Sequence, residues 1–582
     1  MIMAARVRYL LQIIFALLIS ALGFFQLSER MNGKPTSGSV VMQIVCAIMF
    51  LVAWGLMSRF QKFGNQSIFA CVLMLTSIGI LMISRIDGEM DTAVAIRQMM
   101  WLCLALVCCY ALFAFMKDYR ILRRFSYVSM VIGLALLLSP MIPGLGREIG
   151  GARIWIGVGS YQLQPGEFAK LFLAFFFASY LFNHRDQLAV GGRKVLGLQL
   201  PRLRDLGPIV IVWVASMGVL ILQHDLGTSL MFFAMFVAML YVATGRASWL
   251  IIGFLAFAIG CVAAAHLFAH VGYRVDAWLH PFDSEIYNRY PGGSSQIVQG
   301  LFGLAAGGLF GTGLGEGHPA ITPLANSDFI FASAGEELGL VGVFAILMLY
   351  LLIIAAGMIT AMKIKDGFGK LLASGLVFTM AFQVFTVVGG ITLVIPLTGL
   401  TMPYMAAGGS SLIANYILAA LLIIISNAAN KPQNDLMTDT FRMEAVHALS
   451  SRKPRQRKAS GNATQVTKPR GNREEEPRPR TSQLPVTSAA VQQSAAVSAS
   501  PAQDDSATQV VSPQPIVAPQ QTSEPVSNTR NIPVSPQQAT PSAGEETEAM
   551  APLNPSVPPL PQQPHTPTNH QATTSEGGAE HE

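Results

Sequence analysis

Between residues 9 and 426 the chain keeps returning to apolar runs of about 17–23 residues, each long enough as a helix to cross roughly 30 Å of hydrocarbon. None alternates with period 2, which argues against a transmembrane barrel. The runs predict spans near 9–27, 39–58, 67–84, 98–115, 125–142, 166–183, 207–223, 226–243, 248–269, 338–361, 371–391 and 405–426. With 52% hydrophobic and 12% charged residues over 582 positions, a soluble domain could not hide the apolar surface. The first run follows Arg6 and Arg8 but has no convincing small-residue cleavage site, and a second span follows at once, so it reads as an uncleaved helix.

The connecting loops alternate in charge. One set holds Arg59 and Lys62, then Lys117, Arg120, Arg123 and Arg124, then Arg185 to Arg204, Arg246, and Lys363, Lys365 and Lys370. The other set is longer in total and poorer in Lys and Arg, so both termini are expected in the cytoplasm. Two segments expected outside stand out, 143–165 and the long loop 270–337. Long structured loops on a rigid scaffold are where function concentrates. From about Asn430 the composition turns to Pro, Ser, Thr, Gln and Ala, too polar to fold by burial, and a disordered tail over 430–582 is expected. Its Lys and Arg cluster at 452–480 suits anionic lipid headgroups, or simply solubilises the tail. The net charge of +6 is concentrated at one membrane face and at the start of the tail, and calls for no nucleic acid. The six cysteines fall within apolar runs, with spacing that fits neither a zinc site nor a disulfide framework. The fold class is all-α and polytopic: about twelve transmembrane helices, a long external loop and a disordered cytoplasmic C-terminal tail.

Five polar blocks interrupt this pattern. The first, Gly151-Ala152-Arg153-Ile154-Trp155-Ile156-Gly157, leads to Gln164-Pro165-Gly166-Glu167, with Lys170 three residues on. Pro165 suits a first helical turn. Glu167 and Lys170 share a helical face, as an interfacial anchor or as functional intramembrane charges. In the second block, Gln223-His224-Asp225-Leu226-Gly227, Asp225 fits a helix N-cap. Gln296 opens the third, which runs to the glycines at 307, 308, 311, 313 and 315. The fourth is Ser327-Asp328-Phe329-Ile330-Phe331-Ala332 followed by Gly335-Glu336-Glu337. Asp328 sits among apolar residues just before a span, where burial would raise its pKa and make it a usable base. An N-cap or a salt bridge to a loop arginine is the alternative. The fifth, Pro396-Leu397-Thr398-Gly399 through Pro403-Tyr404 to Gly408-Gly409-Ser410-Ser411, breaks the helical pattern at the end of the last span. Irregular backbone at such depth lines a cavity or lies buried in protein.

In this order the blocks resemble the SEDS family of peptidoglycan glycosyltransferases (RodA, FtsW, SpoVE), over about residues 150–427. Gly166 stands at a position the family fills with Ser, His224 at a Pro, Ser295 at a Tyr, Ser327 at a Thr, and Ala406 and Ala407 at positions often Ser and Tyr; no charged member is lost. The fifth block, the added N-terminal spans and the tail look most like the family's actinobacterial RodA branch. Family members usually have about ten spans, so residues 1–65 read as an additional pair before a core at 66–429.

The resemblance implies polymerisation of lipid II outside the membrane, in partnership with a class B penicillin-binding protein. It gives Asp328 the place of the essential aspartate, acting as general base. It implies substrate contacts for Arg153, Glu167, Lys170, Gln296, Glu337 and Ser410, with Arg153, Lys170 or Arg274 stabilising the leaving diphosphate. A divalent cation (Mg or Mn) is implied too, although no ligand cluster in the sequence points to its site. The competing functions are a lipid II flippase and a non-catalytic scaffold. The polar blocks gather at span ends and no internal repeat is visible, which favours surface chemistry over transport.

Overall fold

The computed structural model describes residues 2–32, 37–149, 151–158, 161–185, 188, 194–195, 198–199 and 203–432. The expected tail lies outside the described residues from 433 onward. The helices are α1 (Ile2–Asn32), α2 (Ser37–Phe60), α3 (Ser67–Met90), α4 (Val94–Phe115), α5 (Ile121–Arg124), α6 (Ser126–Leu138), α7 (Pro165–Asn183) and α8 (Leu203–Leu222). They continue as α9 (Leu226–Thr244), α10 (Ser248–Leu267), α11 (Ala269–Leu279), α12 (Ser284–Tyr287), α13 (Ser295–Gly307), α14 (Ile330–Lys363), α15 (Gly367–Ile391) and α16 (Gly409–Asn430). Among the described residues, ten helices are long and apolar enough to span a membrane, and the shorter apolar helices Ser126–Met141 and Val210–Leu222 fill the other two expected positions.

Helices α7, α15 and α16 form the centre, each more than 70% buried over its most apolar stretch, whereas α10 is almost wholly uncovered. The difference is written in the sequence: α7 is apolar all round, with Phe175, Phe176 and Phe177 buried in succession, the pattern of an interior helix. Five of the six free cysteines are buried or half-buried in helices, and Cys261 is exposed on α10. The all-α expectation needs two additions, the smaller being an antiparallel pairing of Lys194–Val195 with Leu198–Gln199. Residues 143–165 hold a three-stranded antiparallel sheet, β1 (Gly146–Ile149), β2 (Ala152–Val158) and β3 (Tyr161–Leu163).

A buried polar knot ties the central helices together. Lys170 Nζ on α7 lies 2.5 Å from Glu167 Oε2, 3.2 Å from Gln383 Oε1 on α15 and 3.3 Å from Asn415 Oδ1 on α16. All four residues are buried. A charge here is tolerable only because its partner and two amide oxygens replace water.

Helix α14 breaks at Gly339, whose φ of 68° and ψ of −173° are non-helical. A break in a helix orphans peptide groups on both sides, and the glycine-rich segment after α13 takes them up. Thr312 N donates to Glu336 O (2.9 Å) and Gly313 N to Glu337 O (3.1 Å), while Leu340 N and Val341 N donate to Gly308 O and Leu309 O. A Cβ on Gly339 would stand 2.2 Å from Gly311 N, so glycine is required there for space as well as for backbone angle. Glu336 and Glu337 interrupt the apolar run, so it is legible only from 338 although the helix begins at Ile330.

Two stability predictions follow from this packing. Gly339→Ala should lower the unfolding temperature in detergent, by a loss of about 1–3 kcal/mol, whereas Gly260→Ala, whose Cβ would meet nothing within 4 Å, should not. Equal unfolding temperatures for the two would refute the account of the kink. Lys170→Met should cost about 3–5 kcal/mol by stranding Glu167, and adding Glu167→Gln should recover most of it.

Candidate active site

Asp328 lies in the turn before α14, at the bundle end that also carries the sheet. The turn is held from several sides. Ala407 N donates to Asn326 O at 2.8 Å, Ser333 Oγ to Ala325 O at 3.0 Å, and Gln296 Nε2 to Pro323 O at 2.8 Å. Phe329, next to the aspartate, is fully buried. Asp328 itself keeps a partial opening to solvent while protein packs around most of its carboxyl. That burial pushes the carboxyl up to about 7, against the opposing pull of Arg274.

Arg274 comes from α11. Its Nη1 donates to Leu397 O (3.2 Å) and Thr398 O (2.9 Å), pinning the loop between α15 and α16. A Cβ on Gly399, where φ is +73°, would lie within 4.0 Å of both Arg274 nitrogens and Asp328 Oδ2. Gly399 therefore marks the place where base, cation and loop converge, and the absent side chain leaves room for a ligand to approach. Asp225, near enough for the charge of Arg274 to act on it, caps α9 and accepts from Thr228 N at 3.0 Å. Burial raises the Asp225 carboxyl, while the Thr228 bond and Arg274 oppose the rise. The charge of one guanidinium thus acts on two carboxylates.

The other expected residues divide. Ser410, buried at the start of α16, accepts from Gln164 N at 2.9 Å and fixes the entry into α7. Glu167 and Lys170 sit beneath the site in the polar knot rather than at its surface. Gln296 braces the Asp328 turn. Glu337 is fully buried with Oε1 on Arg85 Nε at 2.8 Å, so a direct substrate contact is not what the structure gives it. Arg153 is on the sheet, its guanidinium 3.5 Å from Glu148 with both side chains more than half exposed, and not on Asp328. The backbone of Arg153 nevertheless joins the site's frame, with its N–H on Gln223 O at 3.2 Å.

Sequence reading missed Arg85, Gln98, Gln383 and Asn415. Gln98 holds the loop before α16 with both ends of its amide, Nε2 on Ala406 O and Oε1 on Gly408 N, each at 3.0 Å. A signal existed for each: a polar side chain inside an apolar run is costly unless partnered. Among the described residues, no group of three or more His, Cys, Asp or Glu could hold a metal ion.

The family model of the FtsW, RodA and SpoVE cell cycle proteins matches residues 63–431, leaving α1 and α2 outside it. Over 381 residues the chain is 45% identical to the peptidoglycan glycosyltransferase RodA of Mycobacterium tuberculosis, covering 64% of this chain and 80% of that protein. Over 396 residues it is 42% identical to the peptidoglycan glycosyltransferase RodA of Mycobacterium leprae, covering 66% and 83%. Among solved structures, a chain from a study of how a peptidoglycan synthase complex coordinates polymerization and crosslinking superposes with a TM-score of 0.52. It is 27% identical, over 63% of this chain and 99% of that one. With most of its apolar helices inside the matched region, the chain belongs to the FtsW, RodA and SpoVE family of multi-pass membrane proteins, and it resembles that family's actinobacterial RodA branch.

Proposed function

We propose that this chain is a peptidoglycan glycosyltransferase that polymerises lipid II into glycan strands for cell elongation, shape or division, working beside a class B penicillin-binding protein. The observation that carries the reading is Asp328: a half-buried carboxylate poised near neutrality and facing Arg274, at one end of the bundle. A base poised near the working pH combines a useful deprotonated fraction with appreciable proton affinity.

In the reaction, a sugar hydroxyl of one substrate gives its proton to Asp328 as its oxygen bonds to C1 of the other sugar. The bond from C1 to the diphosphate oxygen breaks, and its electron pair leaves with the polyprenyl diphosphate. Arg274 offers cationic stabilisation to that charge, and Arg153 can exchange Glu148 for it at the rim. Glu167 and Lys170 act beneath, keeping α7, α15 and α16 in register under the reacting groups. The opposite end of the bundle carries Arg59, Arg120, Arg123 and Lys365, which supports the site facing outward and both termini lying in the cytoplasm.

The purified protein, with and without a penicillin-binding partner, should polymerise labelled lipid II. Asp328→Asn should reduce the rate by about 10²–10⁴-fold while folding normally. The wild-type rate should climb with pH through about 7 and level off above it, because the raised carboxyl keeps its proton until then. Arg274→Gln should move that rise to higher pH, since burial would then act on Asp328 without its opposing cation. An Asp328→Asn protein as active as wild type ends the general-base assignment. No polymer from wild type under any pairing would favour transport or scaffolding.

A further inference from the structure

Arg85 is a buried cation near the end of α3, in a helix otherwise apolar over most of its length. Its donors are all directed. Nε reaches Glu337 Oε1 at 2.8 Å, Nη1 lies 3.2 Å from Glu89 Oε2, and Nη2 donates to Gly317 O. Glu337 spends its second oxygen on Gly315 N at 3.2 Å, and neighbouring Glu336 accepts from His318 N at 2.6 Å. Segment 312–318 is thereby closed over Glu336 and Glu337 by side chains as well as by the peptide bonds at the kink.

The geometry beyond this clasp gives it a consequence. Residues 330–337 are buried without exception and run as one short helix up to the break at Gly339. Asp328 stands just before the start of that rod and Glu337 near its end, about 13 Å apart at ~1.5 Å per residue. Because the rod is interrupted at Gly339, the long remainder of α14 does not dictate its placement. What remains to hold it is the clasp on α3, its close packing on α13 at Gly300 and Gly307, and the bonds of the Asp328 turn.

We propose that Arg85, acting through Glu337, is a positioning residue for Asp328: the buried pair fixes the far end of the short helix that carries the base. This rests on the glycosyltransferase reading for its kinetic consequences. Neither side chain touches the reacting atoms, so the effect is one of placement, and displacements near 1 Å cost about 10²-fold in rate.

The test compares Arg85→Lys, Glu337→Gln and the paired Arg85→Met/Glu337→Met in the full-length protein. Replacing both members of a buried pair by apolar side chains commonly preserves stability, so the paired variant separates placement from folding. Three readouts are taken: unfolding temperature, kcat and KM on lipid II, and the infrared carboxyl band lost in Asp328→Asn, followed against pH. The paired variant should unfold near the wild-type temperature yet lose about 10–100-fold in kcat, with KM changed less than about threefold, and its Asp328 band should titrate at a different pH. Arg85→Lys, which keeps the charge without the planar fork, should fall between. Wild-type kcat and an unmoved Asp328 band in any folded variant would overturn the proposal, as would losses that merely track the folded fraction. Should wild type make no polymer, the infrared titration still reports whether Arg85 sets Asp328, so the two readings fail separately.

Discussion

A helix that breaks among apolar neighbours must find new partners for its peptide groups, and the active end of this chain is organised around one such break. On the buried side, at Glu336 and Glu337, each unpaired peptide group would cost on the order of 1–3 kcal/mol. The carbonyls of Glu336 and Glu337 and the N–H groups of Leu340 and Val341 are all met by residues 308–313. The glycines of that segment serve close backbone approach, and no phosphate cradle is needed to explain them. Once the segment is committed to the kink, residues 314–318 are carried onto α3 and residues 330–338 become an independent short helix, with Asp328 placed just ahead of it.

Two carboxylates near this end illustrate how environment divides labour. Glu167 is buried against Lys170 at 2.5 Å, with amides completing the shell of the lysine, so its charge is spent on structure. Among the described residues, Asp328 has no such close partner. Burial dominates its ionisation and Arg274 only moderates it, while that guanidinium also serves Asp225 and two backbone carbonyls. Desolvation outweighing the cation's pull keeps the carboxyl a competent proton acceptor; a full ion pair would have made it a weak one.

Much of this was legible in the sequence because the responsible physics is local. Run length gave the twelve apolar helices, the i,i+3 spacing put Glu167 beside Lys170, and Asp225 read as an N-cap and is one. Asp328 drew notice as an acid among apolar residues just before a span, but an N-cap or a salt bridge was open for it as well, and the family resemblance is what singled it out. What escaped depends on contacts remote in sequence. Arg85 and Glu337 are 252 positions apart and Gln98 and Ala406 are 308 apart, so nothing near either member announces its partner. The strand that carries Arg153 escaped for the same reason: its neighbours show a strand-like segment only when β1 and β3 flank it.

The departures from the family blocks also make sense once the backbone is known. His224 stands where the family has proline, yet its φ is +60°, an angle the pyrrolidine ring forbids. The turn at 223–225 therefore follows a different path here, and the imidazole uses it. Its Nδ1 lies 3.1 Å from Gly151 O in the turn just before β2, and its ring packs 4.6 Å from that of His270 on α11. One substituted residue thus links the sheet that carries Arg153 to the helix that carries Arg274. Gly166, in place of serine, faces open space, so that exchange alters a surface without disturbing the polar knot one turn away. Both substitutions remodel how the site is framed and leave its charged groups untouched, as expected if the reaction is shared and the surroundings of the substrate are what differ.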